Sequence, residues 1–190
     1  MSSEKENRSE GDLISNHLRN NPDIINLDCY TIKNNTLDSQ LDFESKEIRS
    51  DLIYLKMAET WGTSSHCKRM QVGCLVVKNK SIISDGYNGS PSGFPNVCES
   101  EEMVTLPYVL HAEANAITKL AKSTQSSMGS TMYVTLSPCY ECAKLIIQSG
   151  IKRIVFCEVY RNTEPLLFLS DGGIEITRIS QKYLSKTSKF

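Results

Sequence analysis

The sequence lacks a charge surplus, a long apolar run and an apolar amino terminus. Its 190 residues carry 21 Lys and Arg against 22 Asp and Glu, which gives a formal net charge of -1. Extensive nucleic-acid binding needs a clustered basic surplus, so the charge argues against a nucleic-acid partner. No apolar run approaches the roughly 20 residues that cross a bilayer, and the polar start Met1–Lys5 is unlike a secretory signal. We therefore expect a soluble, cytoplasmic protein with no membrane partner.

Aromatic residues are also scarce, at 7% of the chain, and the amino-terminal stretch is especially poor in them. Residues 1–42 are rich in Asn, Asp, Glu and Ser. Such a composition buries too little apolar surface to offset the entropy of ordering the chain. We predict a flexible extension over residues 1–42, one domain over 43–180, and a frayed, polar tail over 181–190.

The apolar pattern of the central segment predicts an α/β domain. Apolar residues at the helical spacing of three and four come first. Two predicted strands joined by a short turn follow, and then helices that alternate with strands. This order indicates one mixed sheet with helices on both faces, whose later strands are parallel because right-handed helical crossovers join them. The prediction is a three-layer α/β/α fold with a five-stranded sheet, its strands at about 72–77, 81–87, 131–136, 152–157 and 174–179.

Seven cysteines, an odd number, are scattered through the chain. This usage favours a reducing compartment, where thiols serve metal sites and cores. Cys139 and Cys142 lie three residues apart at a predicted helix start, which Ser137 is expected to cap. The positive end of a helix lowers thiol pKa values and favours the thiolate. Because His111 opens another predicted helix, His111, Cys139 and Cys142 together predict a zinc site with three protein ligands.

Glu113 follows the candidate ligand His111 by two residues. Catalytic zinc sites keep a fourth position open for water, and a carboxylate beside it can move protons. Taken alone, Glu113 would be an ordinary first-turn Glu stabilised by the helix dipole. Next to three ligands, we predict that it is the catalytic residue. The alternatives are a closed structural zinc site, which needs a fourth protein ligand, or two core thiols and a chance histidine.

The segment from about Tyr54 to Ile179 resembles the deoxycytidylate deaminases, within the cytidine deaminase superfamily. The zinc-dependent nucleobase deaminases share a His-x-Glu and Pro-Cys-x-x-Cys signature, present here at residues 111–113 and 138–142. The loop sequence Gly-Tyr-Asn-Gly-Ser-Pro and the Asn-Ala-Ile that follows the first motif narrow the resemblance to the branch that acts on nucleotides. The matching stretches are 71–74, 86–91, 111–117 and 133–144.

This resemblance implies hydrolytic removal of the 4-amino group of dCMP, which gives dUMP and ammonia. It implies that Asn88 holds the sugar and that Lys122 and Tyr160 contact the phosphate. The alternative interpretations are a surface Lys on a helix and a core Tyr at a strand end, although Tyr160 does follow the carboxyl end of a strand, where such sheets bind ligands. The resemblance also implies a homo-oligomer with dCTP and dTTP as effectors.

Some members of this family carry a second, structural zinc, and Cys67 and Cys98 lie near positions used for it. Its remaining ligands are not evident, since Val109 stands where an acidic ligand is sometimes found. Two buried core thiols are the alternative. Competing functions are a deaminase of a nucleoside, a free base or a tRNA adenosine, and a non-catalytic zinc module.

Overall fold

The computed structural model describes residues 27–33 and 36–186. No helix in this part of the chain is both long and apolar enough to cross a membrane. The elements, in chain order, are β1 (Cys29–Lys33), β2 (Thr36–Asp38), α1 (Lys46–Gly62), β3 (Gly73–Lys78), β4 (Ser81–Tyr87), α2 (Ala112–Leu120), β5 (Thr131–Leu136), α3 (Tyr140–Gln148), β6 (Arg153–Glu158), α4 (Glu164–Asp171), β7 (Glu175–Ile179) and α5 (Gln181–Lys186).

One mixed sheet runs through the domain in the order β2-β1-β7-β6-β5-β3-β4. The neighbours β5, β6 and β7 are parallel, and the remaining pairs are antiparallel. On one face, Leu55 of α1 belongs to a core cluster with Leu75 and Val155. Helices α2, α3 and α4 cover the other face, where Ala116 and Phe156 are fully buried. The predicted α/β/α layering and mixed sheet are confirmed.

The sheet has seven strands, so the predicted count of five is wrong. β1 pairs antiparallel with β7, with Cys29 opposite Ile179 and Ile32 opposite Ile176. Tyr30 and Ile32 are 1% and 3% exposed. Composition averaged over 42 residues concealed this short alternation of buried and partly exposed side chains. Residues 29–33 and 36–38 of the predicted extension therefore belong to the sheet, whereas residues 1–26, 34 and 35 lie outside the described part of the chain.

The carboxyl-terminal segment also differs from the predicted frayed tail. Residues 181–186 form α5, in which Leu184 is 2% exposed and packs in the cluster beside α1. The ring of Tyr183 stacks on Phe43 with centroids 4.6 Å apart. Two apolar side chains are enough to dock one short helix in an otherwise polar segment. Residues 187–190 lie outside the described part of the chain.

The candidate functional residues meet at one edge of the sheet. The parallel strands β5 and β6 end together there, with Leu136 aligned with Glu158. Helix α2 begins close against β4, because a Cβ atom on Gly86 would lie 2.1 Å from the carbonyl oxygen of Ala112. Only glycine allows this approach, which brings the start of α2 to the edge where α3 also begins.

Candidate active site

Three side chains that can bind a metal converge at the starts of α2 and α3. His111 is the N-cap residue of α2 and Cys139 that of α3. The His111 Nδ1 atom lies 3.4 Å from Cys139 Sγ and 3.5 Å from Cys142 Sγ. No other three His, Cys, Asp or Glu side chains within residues 27–33 and 36–186 bring their ligand atoms as close together. Two sulfurs and one imidazole nitrogen are ligands that zinc prefers, so this group fits a zinc ion.

The N-cap positions explain how these side chains are free to meet. Neither His111 nor Cys139 makes a side-chain cap hydrogen bond to its own helix. The predicted cap, Ser137, has another partner, because its Oγ accepts a hydrogen bond from the backbone N–H of Tyr160. The prediction for Ser137 is therefore wrong, and the capping position is occupied by a candidate metal ligand.

The electrostatics of the three side chains favour a bound cation. The hydrogen bond from Cys142, with a further contribution from His111, lowers the pKa of Cys139 to about 3. The same contact with Cys139, together with burial, raises the pKa of Cys142. The Cys139 contact also raises the pKa of His111. Without a metal, one thiolate is thus stabilised by its neighbours, and metal binding would displace the remaining proton.

Glu113 lies beside this group and not at the helix surface. It is 4% exposed and lines the same pocket as His111 and Cys139. Burial raises the pKa of its carboxyl, which is hydrogen-bonded to Cys142. An ordinary first-turn Glu would face solvent, so burial in the pocket favours the catalytic interpretation, because a carboxyl with a raised pKa carries protons more readily.

A pocket opens from these residues towards the loops after β4 and β6. One wall is formed by the segment before β3 and by the loop between β4 and α2, and the opposite wall by the ends of β5 and β6. Its lining residues are Cys67, Arg69, Met70, Val72, Asn88, Glu99, Thr105, Val109, His111, Ala112, Glu113, Leu136, Ser137, Cys139 and Tyr160.

Comparison with known proteins identifies the family of this domain. Residues 48–158 match the family model for the cytidine and deoxycytidylate deaminase zinc-binding region. The chain belongs to this deaminase family.

Comparison with individual relatives of this deaminase leads to the same family. The chain is 36% identical over 175 residues to the deoxycytidylate deaminase of enterobacteria phage T4, covering 70% of this chain and 91% of that protein. It is 45% identical over 132 residues to the human deoxycytidylate deaminase, covering 63% and 71% of the two chains. The solved dCMP deaminase of cyanophage S-TIM5, in complex with dCMP and dUMP, is 46% identical with a TM-score of 0.67, and the match covers 70% of this chain and 98% of that one.

Asn88 and Tyr160 of the deaminase both line the pocket, as their predicted roles require. The Asn88 Oδ1 atom accepts from the backbone N–H of Val72 at 2.8 Å, and its Nδ2 donates to the carbonyl oxygen of Met70 at 2.8 Å. These bonds fix the loop after β4 to the segment before β3. They leave one amide hydrogen and one oxygen lone pair of Asn88 for a ligand. The sugar contact stays a prediction.

Lys122 is not brought into the pocket of the deaminase chain. It is exposed and follows the carboxyl end of α2, whereas His111 stands at the opposite end. A nine-residue helix is about 14 Å long, which separates Lys122 from the site. The geometry of the chain fits the alternative interpretation, a surface Lys.

Two arginines near the deaminase pocket were not predicted from the sequence. Arg69 lines the pocket, and its Nη1 donates to Thr105 Oγ1 at 3.2 Å. The guanidinium carbon of Arg161 lies 4.8 Å from the centre of the Tyr160 ring. The position of Arg161 just past a strand end could have indicated it. Arg69 is placed by contacts between distant loops, which no local pattern records.

Proposed function

We propose that this protein is a zinc-dependent hydrolase that converts dCMP to dUMP and ammonia. The observation that carries the proposal is the convergence of His111, Cys139 and Cys142 beside the buried Glu113. Support comes from the names of its relatives, deoxycytidylate deaminases, and from the similar cyanophage enzyme in complex with dCMP and dUMP.

His111, Cys139 and Cys142 would hold the zinc ion. When bound, zinc supplies Lewis-acid activation of water near neutral pH. Glu113 takes one proton from the attacking water and delivers it to N3 of the cytosine ring, where it remains in dUMP. A C4–O bond forms, and Glu113 then passes the second proton of that water from the new C4 hydroxyl to the departing amine. The C4–N4 bond breaks as the C4 oxygen becomes a carbonyl, and ammonia leaves with this second proton. The burial of Glu113 keeps bulk water away from these transfers.

The sugar and phosphate of the substrate lie towards the mouth of the pocket. In this proposal Asn88 contacts the sugar. The phosphate lies between the wall that carries Arg69 and the corner formed by Tyr160 and Arg161, because a dianionic group needs nearby cations. Lys122 of the same chain takes no part, since it lies at the far end of α2.

A second, structural zinc at Cys67 and Cys98 stays a prediction. The two thiols are 4% and 2% exposed and are hydrogen-bonded to each other; burial, with this contact, raises the pKa of Cys98 to about 12. They supply two of the four ligands that a structural site requires, and the described residues place no third ligand with them. Zinc content of one or two ions per chain decides between core thiols and a second site.

The exposed face of α1 supports the predicted homo-oligomer. Ile53, Met57 and Trp61 recur every four residues and are 55%, 44% and 42% exposed. Because an apolar stripe of this kind is costly to leave in water, we propose that it packs against a second copy. Sedimentation of Met57→Glu tests this, with a shift towards the monomer expected.

The effectors dCTP and dTTP and the cytoplasmic location also stay predictions.

A substrate screen tests the proposed function directly. The purified, zinc-loaded protein is assayed with dCMP, CMP, deoxycytidine, cytosine and adenosine, each with and without dCTP. We expect ammonia release and dUMP formation from dCMP. Turnover of another base with none of dCMP would favour a different deaminase. A protein that binds zinc and turns over none of them would favour a non-catalytic zinc module.

A further inference from the structure

We propose that Ser137 is a positioning residue. It holds the Tyr160–Arg161 corner, the two residues that lie just past the end of β6, against the turn that carries the metal ligand Cys139. This contact sets the preference of the enzyme for a nucleotide substrate over a nucleoside substrate. This inference rests on the proposed function. Ser137 itself supplies no metal ligand and moves no proton. It acts through the backbone of Tyr160.

Ser137 joins the two strand ends that border the pocket. Its backbone N–H donates to the carbonyl oxygen of Glu158 at 2.8 Å, and its Oγ accepts from the backbone N–H of Tyr160 at 2.8 Å. The side chain is 2% exposed, so water competes little for either bond. Cys139 follows two residues later, and one serine thus links the metal-binding turn to the opposite corner of the pocket.

The corner that Ser137 holds has an unusual backbone conformation. Arg161 has a φ of +54°, in the left-handed region that a side chain disfavours by about 1 kcal/mol or more. Such a residue keeps this conformation only when its surroundings fix it. The described contacts that do so are the Ser137 bond to Tyr160 and a 2.6 Å hydrogen bond from the N–H of Asn162 to the carbonyl oxygen of Tyr160.

The position of the Tyr160–Arg161 corner at the pocket connects it to the substrate. Tyr160 lines the pocket, and the guanidinium carbon of Arg161 lies 4.8 Å from the centre of the Tyr160 ring. A corner that moved away would remove these two groups from the phosphate and leave the metal ligands and Glu113 in place. The consequence is weaker binding of the nucleotide with little change in the chemical step.

Ser137→Ala tests the proposal because it removes the Oγ acceptor and keeps the backbone bond to Glu158. We expect KM for dCMP to rise by about five- to tenfold, the loss typical of one hydrogen bond, with kcat within twofold of the wild type. The affinity for dUMP, measured by calorimetry, should fall by the same factor. Kinetics with deoxycytidine and the zinc content should not change. Ser137→Thr keeps the hydroxyl and should restore the preference for dCMP.

Ser130→Ala is the matched control. Ser130 precedes β5 as Ser137 follows it, is 1% exposed, and donates from its Oγ to the carbonyl oxygen of Ser127 at 2.6 Å. It lies at the opposite end of the strand from the pocket. Its replacement should lower thermal stability and leave the preference between dCMP and deoxycytidine unchanged.

Three results would overturn the proposal. One is wild-type kinetics and dUMP affinity in Ser137→Ala. Another is an equal loss of turnover with both substrates, and the third is a loss of zinc, since either would place the role of Ser137 in the metal-binding turn. The wild-type protein reports on the proposed function separately. If it fails to deaminate dCMP, the function is wrong whatever the variants do, whereas an active wild type with an unchanged variant refutes only the role of Ser137.

Discussion

The Nδ1 atom of His111 lies 3.4 Å from the Sγ atom of Cys139, although 28 residues separate them in the chain. Each residue is the N-cap of its own helix. The positive ends of two helix dipoles therefore point at one site, where they favour thiolates. This relationship makes the metal site a consequence of the fold, because β4 and β5 bring the two helix starts to one edge of the sheet.

The first prediction concerns these ligands. Cys139→Ser should lower zinc affinity by more than the roughly 10- to 100-fold typical of losing an outer hydrogen-bond partner, because it replaces a thiolate that binds directly. Zinc content after dialysis, measured by atomic absorption, checks this, and deaminase activity should fall with it. Cys29→Ser is the control, since Cys29 lies on β1, away from the ligand group. Equal zinc content in all three proteins would contradict the assigned ligand set.

The second prediction separates Glu113 from an ordinary first-turn glutamate. Glu113→Gln should retain zinc and lower kcat by about 10²- to 10⁴-fold, the usual contribution of a proton-transferring side chain. Glu141→Gln is the matched control. Glu141 also lies in the first turn of a helix, but its side chain is 80% exposed and pairs with Lys144. The assignment fails if the two variants have similar kcat values at full zinc occupancy.

The third prediction tests the place of β1 in the sheet through alkaline pH. Burial raises the pKa of Tyr30 to about 12 from an ordinary value of 10.0. Between these values the folded state keeps a proton that the unfolded state loses, so stability falls as pH rises. The contribution of Tyr30 is complete below about pH 10 and is lost by about pH 12. Two pKa units correspond to about 2–3 kcal/mol.

Tyr30→Phe should therefore weaken the loss of unfolding free energy between about pH 10 and pH 12, measured by urea denaturation. Tyr108→Phe serves as the control for the loss of one tyrosine hydroxyl, because Tyr108 is 37% exposed and lies outside β1. Should Tyr30→Phe and the wild type lose stability in parallel, Tyr30 would not be buried in the folded protein and β1 would not belong to the sheet.

The features whose positions the sequence patterns predicted well are those whose signal is local. His111, Glu113, Cys139 and Cys142 occur in two short motifs and lie together in the structure, and strands β3 to β7 show clear apolar runs. β1 was missed because its two buried residues lie in a polar segment and gain their partners from β7, about 145 residues away along the chain. A strand fixed by so distant a partner leaves little local pattern.

The substrate contacts were harder to predict for the same reason. Lys122 follows the end of α2 that is opposite His111, and helix length and direction, which decide the residues that reach a pocket, are not read from a local motif. Arg69 reaches the pocket through loops whose contacts are set by distant residues, such as the bond from its backbone N–H to Glu99. Spacing along the chain predicts a ligand group within one turn, and it does not predict which loops meet across a pocket.

The last prediction concerns the buried ion pair near the amino-terminal ends of the parallel strands, opposite the end of the sheet that carries the pocket. Asp51 of α1 is 1% exposed and accepts two hydrogen bonds from the Arg153 guanidinium, at 2.9 and 2.7 Å, and a third from the Tyr133 hydroxyl at 2.8 Å. Asp51→Ala removes this partner from a largely buried guanidinium, which keeps hydrogen bonds to Glu175 and Thr177. A buried charge left without any partner costs about 3–5 kcal/mol, and hydrogen bonds to a charged group contribute about 1.5–3 kcal/mol. Because Glu175 remains, we expect a loss of about 2–3 kcal/mol of unfolding free energy, which urea denaturation measures. Glu47→Ala is the control, because Glu47 is 68% exposed and lies 3.7 Å from the same guanidinium, where solvent screens the contact. A loss in Asp51→Ala no greater than in Glu47→Ala would show that α1 is not fixed to the sheet through Arg153. Because this pair lies at the far end, zinc content and the KM for dCMP should survive in the folded fraction of Asp51→Ala.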